Sequence, residues 1–596
     1  MNKLNYYFKE KSVFQLLEKA ARNKPISHAI KYKKNQKWIQ INWKTLLEKT
    51  KILASSLRKI GIKEGDRIAI LSNTRFEWIL ADLAIFSLNA CSVPIYSSNT
   101  TNDIEFILKD SNSKIIFAEN QDQINKIRKI NAKYISLTHI ICFDAKEEDL
   151  KNKELLYRDF IKNTKSTHTI KKKPLYNLKS IATIVYTSGT TGKSKGVILT
   201  NKNLLYEAAV IKKLRLLTEN DTQLLFLPLA HIFARVLEIS WLKTTHNLVV
   251  IDNINELLQN ILEIKPTFMA AVPRIYEKIY SKIIITALKT NKVKQIIIKW
   301  ALNKIKKIAK QEVNNQRKYN ITWIIAQKLV FNKINYKLTK LFGNRLKFLI
   351  SGGAPLSTEI NYFFKYSGFK ICEGYGLTET TAATTINLPN DIKIGTVGKA
   401  VPGTEIKISN DKEILIKGPG VFNGYWKNKK ETSHAFCNGW FKSGDIGKLD
   451  ENNYLTIIDR KKDIIVTASG KNIAPQKIEN LVKMQSNLIS QVITQGDKRN
   501  FISAIITLEK AALLESDKYI KILKNYTDLT KNSIVIKEIN KAVSSANSLL
   551  QRHEQIKKFK ILNDNLSTDK ELTPTLKIKR SLIYKQYEKI FNNFYK

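Results

Sequence analysis

The chain has 596 residues, more than one hydrophobic core accommodates, so at least two domains are expected. Its hydrophobic content of 43% and aromatic content of 9% are typical of a globular protein and exclude a disordered chain, and no run of about 18 apolar residues predicts a membrane-spanning helix. The net charge of +48 would suit nucleic acid or an anionic membrane, but lysine is abundant along the whole chain, which favours a general bias in composition over a binding groove.

Neither the first residues nor the cysteines point to secretion. The opening segment, MNKLNYYFKEKSVFQLLEKAARNK, lacks the continuous apolar region and the small-residue cleavage site of a secretory signal. The four cysteines are far apart and form no C-x-x-C pair, so neither a disulfide framework nor a zinc knuckle is predicted. These observations predict a cytoplasmic protein with scattered buried thiols.

The first half of the chain alternates short apolar runs with helical patterns. The runs that read as strands are residues 66–72, 113–119, 139–144, 181–187 and 247–252. Strands that alternate with helices of about 10–15 residues predict an α/β fold with layered, largely parallel sheets.

Residues from about 281 to 340 change to a long, basic, helical pattern. In KVKQIIIKWALNKIKKIAK (292–310) one face carries Ile297, Ala301, Ile305 and Ile308, the other face carries Lys299, Lys306 and Lys310, and Lys304 interrupts the apolar face. Packing of the apolar stripe on its own domain is the favoured interpretation, and peripheral contact with an anionic membrane is the alternative.

The remainder divides into a β-rich patch and a smaller final segment. KISNDKEILIKGPGVFNGYW (407–426) and GKLDENNYLTIIDRKKD (447–463) read as short strands and turns. An α+β pattern then runs to the C-terminus, and the charged, turn-like residues 459–463 suggest a linker.

The most informative stretch is YTSGTTGKSKGV (186–197), in which a β-branched strand leads into a loop of glycines, hydroxyls and lysines. Bare backbone N–H groups and hydroxyls can surround phosphate oxygens, and lysine adds a positive charge. The P-loop pattern G-x-x-x-x-G-K-[ST] does not fit, because Thr187 stands where its first glycine is required. A phosphate-binding loop is favoured over a purely structural one.

This loop resembles the phosphate loop of the AMP-forming adenylating enzymes, which include acyl-CoA synthetases, luciferases and nonribosomal adenylation domains. The family pattern is usually T-S-G-T-T-G-x-P-K-G, and this chain has Ser194 where proline is common but keeps Lys195. Further segments that resemble the family follow in its order: LPLAHIFAR (227–235), VPRIYEKIY (272–280), SGGAPL (351–356), EGYGLTET (373–380), GWFKSGDIG (439–447), DRKKDIIVTASGKNIAPQKIE (459–479) and LTPTLKIKR (572–580). Within the superfamily, PLAHIFAR, VPRIYEKIY and GKNIAPQ point to long-chain fatty acyl-CoA synthetases.

The resemblance implies a fold, a reaction and two domains. A large N-terminal domain of layered α/β sheets with a β-rich patch would span residues 1–459, with a helical insertion at about 281–340. A small, mobile α+β domain would span 460–596, carry the catalytic lysine and rotate about residues 459–462. The implied reaction uses ATP and coenzyme A with Mg²⁺ to convert long-chain fatty acids to acyl-CoA through an acyl-adenylate.

The resemblance also implies which residues bind the nucleotide. The β- and γ-phosphates would be surrounded by Thr187, Ser188, Gly189, Thr190, Thr191 and Lys195. The adenine would lie against Gly352, Gly353, Ala354, Gly374, Tyr375 and Thr378, and the ribose would contact Asp445 and Arg460. An ordinary turn aspartate and a solvated linker arginine are the alternatives for Asp445 and Arg460.

Three side chains, together with Thr187, are implied in catalysis. Glu379 would hold Mg²⁺, because a hard carboxylate suits that ion, and a surface carboxylate in a turn is the alternative. Lys577 would bridge the fatty acid carboxylate and the α-phosphate, unless LTPTLKIKR is merely an exposed basic segment. His231 would position the substrate, and an ordinary core histidine is the alternative.

Two other functions compete with the synthetase. An adenylation enzyme could load a carrier protein instead of coenzyme A, although no carrier domain is visible after Arg580. A basic membrane- or nucleic-acid-binding protein without catalysis would require the motifs to be accidental, and no nucleic-acid partner is predicted. Chain-length preference, tunnel lining, oligomeric state (a homodimer is one prediction) and attachment to the inner face of a membrane stay open.

Overall fold

The computed structural model describes residues 7–130, 136–151, 153–162, 174–187, 194–313, 321–509, 513, 526–567, 570–573 and 577–596. The strands are β1 (His28–Lys34), β2 (Lys37–Asn42), β3 (Arg67–Leu71), β4 (Cys91–Ile95), β5 (Ile115–Asn120), β6 (His139–Asp144), β7 (Glu154–Leu156), β8 (Ile181–Thr187), β9 (Lys195–Thr200), β10 (Thr222–Leu225), β11 (Asn247–Val250), β12 (Phe268–Ala271), β13 (Phe348–Ser351), β14 (Ile371–Tyr375), β15 (Thr385–Ile386), β16 (Lys399–Ala400), β17 (Glu405–Ile408), β18 (Glu413–Lys417), β19 (Phe436–Cys437), β20 (Trp440–Leu449), β21 (Leu455–Arg460), β22 (Ile465–Val466), β23 (Asn472–Ile473), β24 (Ile489–Gln495), β25 (Ile502–Leu508) and β26 (Ile556–Ile561). The helices are α1 (Val13–Asn23), α2 (Trp43–Lys59), α3 (Phe76–Ser87), α4 (Thr101–Ser111), α5 (Gln121–Arg128), α6 (Tyr157–Lys162), α7 (Asn201–Lys213), α8 (Ile232–Thr244), α9 (Leu257–Ile264), α10 (Pro273–Leu288), α11 (Lys292–Val313), α12 (Ile321–Ala326), α13 (Asn332–Leu341), α14 (Thr358–Tyr366), α15 (Lys429–Ala435), α16 (Pro475–Lys483), α17 (Tyr526–Lys531), α18 (Ser533–Asn547), α19 (Arg580–Gln586) and α20 (Glu588–Asn593).

Two large sheets organise the first part of the chain. One has seven strands in the order β7-β6-β5-β3-β4-β8-β9, and the other has nine in the order β16-β15-β14-β13-β12-β10-β11-β1-β2. Most neighbouring strands are parallel, while β9 runs antiparallel to β8. The runs that sequence predicted as strands correspond to β3, β5, β6, β8 and β11, so the layered α/β fold is confirmed.

A shared hydrophobic core joins these sheets through helices such as α3, in which every residue except Glu77 is buried. Inside it, Arg235 of α8 forms an ion pair with Asp82 of α3 at 2.7 Å, and both side chains are fully buried. The Arg235 guanidinium also lies over the rings of Trp78 and Phe86, with centroid distances of 5.2 and 5.5 Å. Burial, together with the charge of Asp82, raises the pKa of the neighbouring Glu238 well above its ordinary value, which favours the neutral form of this carboxyl. The ion pair therefore fixes α8 against α3.

The strand order brings three chain segments to one edge of the nine-stranded sheet. Parallel strands β12, β13 and β14 are neighbours, and Ala271, Ser351 and Glu373 lie side by side near their carboxyl ends. Ligands of open parallel sheets bind beyond this edge. The segments that continue from residues 272, 352 and 376 are therefore placed to form a cleft.

The described parts of the basic segment, residues 281–313 and 321–340, are mostly helical. Ala301, Ile305 and Ile308 of α11 are buried. Lys304, which interrupts the apolar face in the sequence, donates through Nζ to Thr322 Oγ1 at 2.9 Å and lies 5.8 Å from the ring centroid of Trp300. Its long aliphatic stem can follow an apolar surface while its charge finds a partner. In the described part of the chain, no helix is both long enough and apolar enough to cross a bilayer.

The β-rich patch is a five-stranded sheet in which β21 pairs with β20. The predicted linker, residues 459–463, begins within β21, and Lys461 and Lys462 lie exposed in the turn that follows the strand. Asp459 differs from a typical linker residue because it is only 1% exposed and accepts hydrogen bonds from the N–H groups of Arg460 (2.7 Å) and Gln476 (3.1 Å). Gln476 lies in the first turn of α16, where a carboxylate is electrostatically favoured.

The final part of the chain has a core of its own. Strands β24, β25 and β26 form one sheet, and two hydrophobic clusters contain only residues from 465 onward. A separate core is the mark of a separate folding unit, which agrees with the predicted small α+β domain. The boundary at 459/460 stays a prediction.

Candidate active site

The phosphate loop leaves β8 and returns as β9, so its two ends are adjacent. Thr187, the last residue of β8, pairs directly with Lys195, the first of β9. The Lys195 ammonium forms an ion pair with Glu431 of α15 and lies 5.3 Å from the ring centroid of Tyr425. The predicted phosphate ligands Ser188, Gly189, Thr190 and Thr191 lie outside the described residues. The hairpin thus presents Lys195 at the mouth of the loop.

The wall predicted to face adenine follows β13 and includes the end of β14. A Cβ on Gly352 would lie 3.3 Å from the Phe233 ring, and one on Gly374 would lie 3.3 Å from the Thr385 carbonyl oxygen. Gly353 has a φ of +81°, which glycine adopts without the strain of other residues. Ala354 continues this turn. Glycine therefore allows Phe233 and β15 to pack closely against this wall.

Tyr375, Asp445 and Arg460 form a connected group. Tyr375 Oη donates to Asp445 Oδ2 at 2.6 Å, and Arg460 Nε lies 2.8 Å from Asp445 Oδ1. Asp445 and Arg460 are direct partners across β20 and β21, so the sheet holds the ion pair in register. Burial raises the pKa of Asp445, while the charge of Arg460 and the hydrogen bond from Tyr375 act to lower it. Burial disfavours the charge of Arg460, but Asp445 raises its pKa above the ordinary value.

Lys577 comes from the C-terminal segment yet interacts with this same group. Its N–H donates to Thr573 Oγ1 at 3.0 Å, and its carbonyl accepts from the Thr573 N–H at 2.8 Å. Lys577 is exposed to solvent, although many protein groups lie around its ammonium. Desolvation by these groups, with the charge of Arg460, lowers the pKa of Lys577 to about 8, while Asp445 and Glu379 oppose the shift.

His231 caps the N-terminus of α8 through its ring. The Phe233 N–H donates to His231 Nδ1 at 3.2 Å. Burial, together with the charge of Lys577, lowers the pKa of His231 to about 3, so the imidazole is neutral at physiological pH. Because Nδ1 accepts a hydrogen bond, the proton is on Nε2. The ring is therefore a fixed hydrogen-bond donor, and His231 is partly exposed.

Glu379 lies in the short turn Thr378–Thr380, after the Tyr375 end of β14. Tyr425 Oη donates to Glu379 Oε1 at 2.9 Å, and the Glu379 carbonyl accepts from the Phe422 N–H at 2.8 Å. Burial and the Glu379 charge raise the pKa of Tyr425, which keeps its hydroxyl protonated and able to donate.

The oxygen ligands available at Glu379 fit one kind of metal site. Within the described ranges, no three His, Cys, Asp or Glu residues are arranged to hold an ion by themselves. A single carboxylate is nevertheless what Mg²⁺ takes from a protein when phosphate oxygens and water complete its octahedral shell. Glu379 therefore fits an ion that arrives with a nucleotide.

The structure thus brings Thr187, Lys195, Gly352, Gly353, Gly374, Tyr375, Glu379, Asp445, Arg460, Lys577 and His231 to the loops around one cleft. Sequence reasoning missed Glu431 and Tyr425, the partners of Lys195 and Glu379. The one sequence signal for Glu431 is that it is the first acid after the basic run KNKK. Nothing in the local sequence links it to Lys195, which lies 236 positions earlier.

Comparisons with known proteins agree with this arrangement. Residues 17–426 match the AMP-binding enzyme family, and residues 462–596 match the AMP-binding enzyme C-terminal domain. The long-chain-fatty-acid–CoA ligase FadD15 of Mycobacterium bovis is 34% identical over 579 residues, which cover 93% of each chain. Fatty acyl-CoA synthetase A of Dictyostelium discoideum is 30% identical, over 94% of this chain and 86% of its own length.

Solved structures show the same fold. ATP-bound MatB from Rhodopseudomonas palustris superposes with a TM-score of 0.72 at 20% identity, covering 98% of this chain and 99% of that one. A fatty acyl CoA synthetase of Mycobacterium tuberculosis superposes with a TM-score of 0.63 at 21% identity, covering 97% and 99%. From the two family matches and the relatives of at least 30% identity, the chain belongs to the AMP-binding enzyme family, in its adenylate-forming acyl-CoA synthetase branch.

Proposed function

We propose that the protein is a carbon–sulfur bond-forming ligase that activates long-chain fatty acids: ATP and the acid give an acyl-adenylate and pyrophosphate, and coenzyme A then gives acyl-CoA and AMP. Relatives named as long-chain-fatty-acid–CoA ligases support this reaction. The observation that carries the proposal is the position of Lys577, whose charge interacts with Glu379, Asp445 and Arg460 across the cleft.

The first step joins two anions, and the proposed residues address that repulsion. A carboxylate oxygen attacks the α-phosphorus, and the bond from that phosphorus to the pyrophosphate oxygen breaks. Lys577 would lie between the carboxylate and the α-phosphate, and Lys195 with Thr187 and the loop residues Ser188–Thr191 would hold the departing phosphates. Fixed cations and N–H donors stabilise charge here far better than water does. His231 would donate Nε2–H to an oxygen of the substrate.

The nucleotide would be held by the groups around β14 and β20. The adenine would lie against Tyr375, Gly374 and Thr378 on one side and the turn 352–354 on the other, and Asp445, held by Arg460, would accept from ribose hydroxyls. Glu379 would hold Mg²⁺, which supplies positive charge to the phosphates when bound.

The second step needs the Lys577 segment to leave. We propose that residues 460–596 rotate about 459–462, so that the coenzyme A thiol attacks the acyl carbonyl and AMP departs. Asp459 is anchored to α16 by its bond with the Gln476 N–H, so α16 would move with the hinge.

The variant Lys577→Ala tests the assignment. We expect it to lose at least about a hundredfold in ATP–pyrophosphate exchange with palmitate, because one electrostatic group at the reacting oxygens is removed, and to keep thioester formation from supplied acyl-AMP. Lys579→Ala, two residues along the same segment, is the matched control. Exchange at the wild-type rate in Lys577→Ala would remove this residue from its role.

Acceptor, tail length and cellular setting need separate assays. Coenzyme A should accept the acyl group, and transfer to a carrier protein instead would favour the adenylation-module alternative. A chain-length series scored by AMP release would define the tail preference. We further propose that the protein works in the cytoplasm at the inner face of an anionic membrane, where its fatty acid substrate is dissolved. A homodimer stays a prediction, which light scattering would test.

A further inference from the structure

One surface of the helical insertion exposes an unusual amount of apolar side chain. Six residues of α11, α12 and the turn after α12 form what we call the insertion patch. Their exposed fractions are 65% for Val293, 66% for Ile296, 74% for Ile321, 61% for Ile324 and 44% each for Ile325 and Leu329. Single exposed apolar residues are ordinary, but a group of this size marks an interaction surface.

The helical stretch from Ile321 to Leu341 explains why the patch exists. Its inward face is apolar and buried through Trp323, Val330 and Ile334. Its outward face carries Ile321, Ile324, Ile325 and Leu329, at the spacing of successive helical turns. A helix at the surface of a protein needs one apolar face for its own core, so the second apolar face serves something outside the described chain.

The two parts of the patch belong to neighbouring helices. The bond from Lys304 Nζ to Thr322 Oγ1 places the middle of α11 beside the start of α12. Ala301 and Ile305 of α11 are buried, whereas Val293 and Ile296 of the same helix are exposed to solvent.

The surroundings of the patch are strongly positive. Residues 282–340 contain fifteen Lys and Arg and a single acid, Glu312, whose carboxylate is held by Lys365 (2.7 Å) and Tyr366 (2.6 Å) of α14. Exposed lysines on the same helical elements are Lys292, Lys294, Lys299, Lys328, Lys333 and Lys337. Elsewhere the chain contains about three acids for every five bases, so this segment exceeds the general bias.

This combination selects one partner. A second copy of the chain would bring the same positive charge against itself, and a nucleic acid would use the lysines but not the isoleucines. An anionic lipid bilayer uses both, because apolar side chains insert at the headgroup boundary and lysines stay at the lipid phosphates. We propose that the insertion patch docks this protein on an anionic bilayer.

The inference rests on the proposed function and deepens it by naming the surface. Helix α10 begins at Pro273, directly after β12 beside the cleft, and ends at Leu288, next to α11. Its 16 residues span about 24 Å at 1.5 Å per residue. Docking through the patch would therefore hold the cleft about one helix length from the lipid that carries the fatty acid.

The test measures binding separately from catalysis. Full-length protein is sedimented with phosphatidylcholine vesicles that contain or lack phosphatidylglycerol. We expect binding only to the anionic vesicles, weakening as salt rises. The double variant Ile321→Asp/Ile324→Asp should bind at least about tenfold more weakly, because it replaces inserted apolar groups by charges that the lipid phosphates repel. The matched control is Ile26→Asp/Ile254→Asp, which changes isoleucines exposed by 83% and 51% on other elements and should bind as the wild type does.

Three outcomes decide the proposal. The patch variant should release AMP at the wild-type rate with a fatty acid that dissolves without vesicles, which would show that the variant folds. If the wild type itself releases no AMP, the proposed function is contradicted and the docking surface is not. Equal vesicle binding by patch and control variants would overturn the proposal. So would a wild-type dimer that the patch substitutions dissociate and that does not bind vesicles, because the patch would then be the contact between two copies.

Discussion

The pKa of Lys577 leads to a prediction on the pH dependence of adenylation. Desolvation and the charge of Arg460 lower this pKa from 10.5 to about 8. A lowered pKa means that the charged form is present below pH 8 and disappears above it. The charged fraction falls about tenfold between pH 7 and pH 9, from about nine tenths to about one tenth.

The measurement is ATP–pyrophosphate exchange at limiting substrate, because kcat/KM reports the groups of the free enzyme. Exchange needs no coenzyme A, so the thiol does not titrate in the assay. We expect the rate to fall about five- to sixfold between pH 8 and pH 9 and about tenfold per pH unit beyond pH 9. In Lys577→Arg the absolute rate should be lower, but the alkaline decline should vanish because a guanidinium stays protonated. Thioester formation from acyl-AMP, the control reaction, should instead rise with pH as the thiol ionises.

Two results would refute this reasoning. An alkaline decline of the same midpoint in Lys577→Arg would assign the titration to another group. A midpoint near 10.5 in the wild type would mean that Lys577 is not surrounded by the protein groups described above.

Three further substitutions test other parts of the structure. Glu431→Gln breaks the ion pair with Lys195, which is partly exposed and therefore worth about 0.2–1 kcal/mol. The freed lysine should lower KM for ATP about 1.4- to 5-fold and leave kcat unchanged. A higher KM would contradict the idea that Glu431 holds Lys195 back from the phosphates. Gly376→Ala would push a Cβ into a carbonyl oxygen of the following turn. We expect this variant to lose about 3 kcal/mol in unfolding free energy and to lose exchange activity. A melting temperature equal to that of the wild type would show that the turn is not tight. Asp82→Asn should cost about 3–5 kcal/mol in urea unfolding because its guanidinium partner stays buried without a counter-charge. Glu238→Gln, the control, should cost far less because burial favours the neutral form of that carboxyl; equal losses would argue against the buried ion pair.

Much of the fold was predictable because its signals are local. The strand β8 is a run of β-branched residues that leads into a glycine loop, and its type and limits follow from those letters alone. The helical insertion is equally plain, and Lys304 was identified as an exception on its apolar face. What sequence could not supply was the partner of that lysine, because Thr322 lies on the next helix.

The candidate site was predictable by motif and not by periodicity. Lys577 stands among other bases, and spacing alone does not say which of them faces the cleft. Glu431, Tyr425 and the Tyr375–Asp445 contact were not predictable, because each pair is joined only by tertiary folding across 46 to 236 residues. Asp459 was expected in a charged turn, but the first-turn amides of α16 attract its carboxylate inward.

The hydrogen bond between the Phe233 amide and His231 Nδ1 has a consequence for selectivity among acids and their derivatives. With that ring nitrogen occupied, the imidazole presents only an N–H, and the neighbouring ammonium of Lys577 is also a donor. A carboxylate satisfies both with its two oxygens, whereas a primary carboxamide of the same tail would turn an NH₂ toward one of them and leave two donors facing each other. Fatty amides should therefore be poor competitors of fatty acids, however well their tails fit.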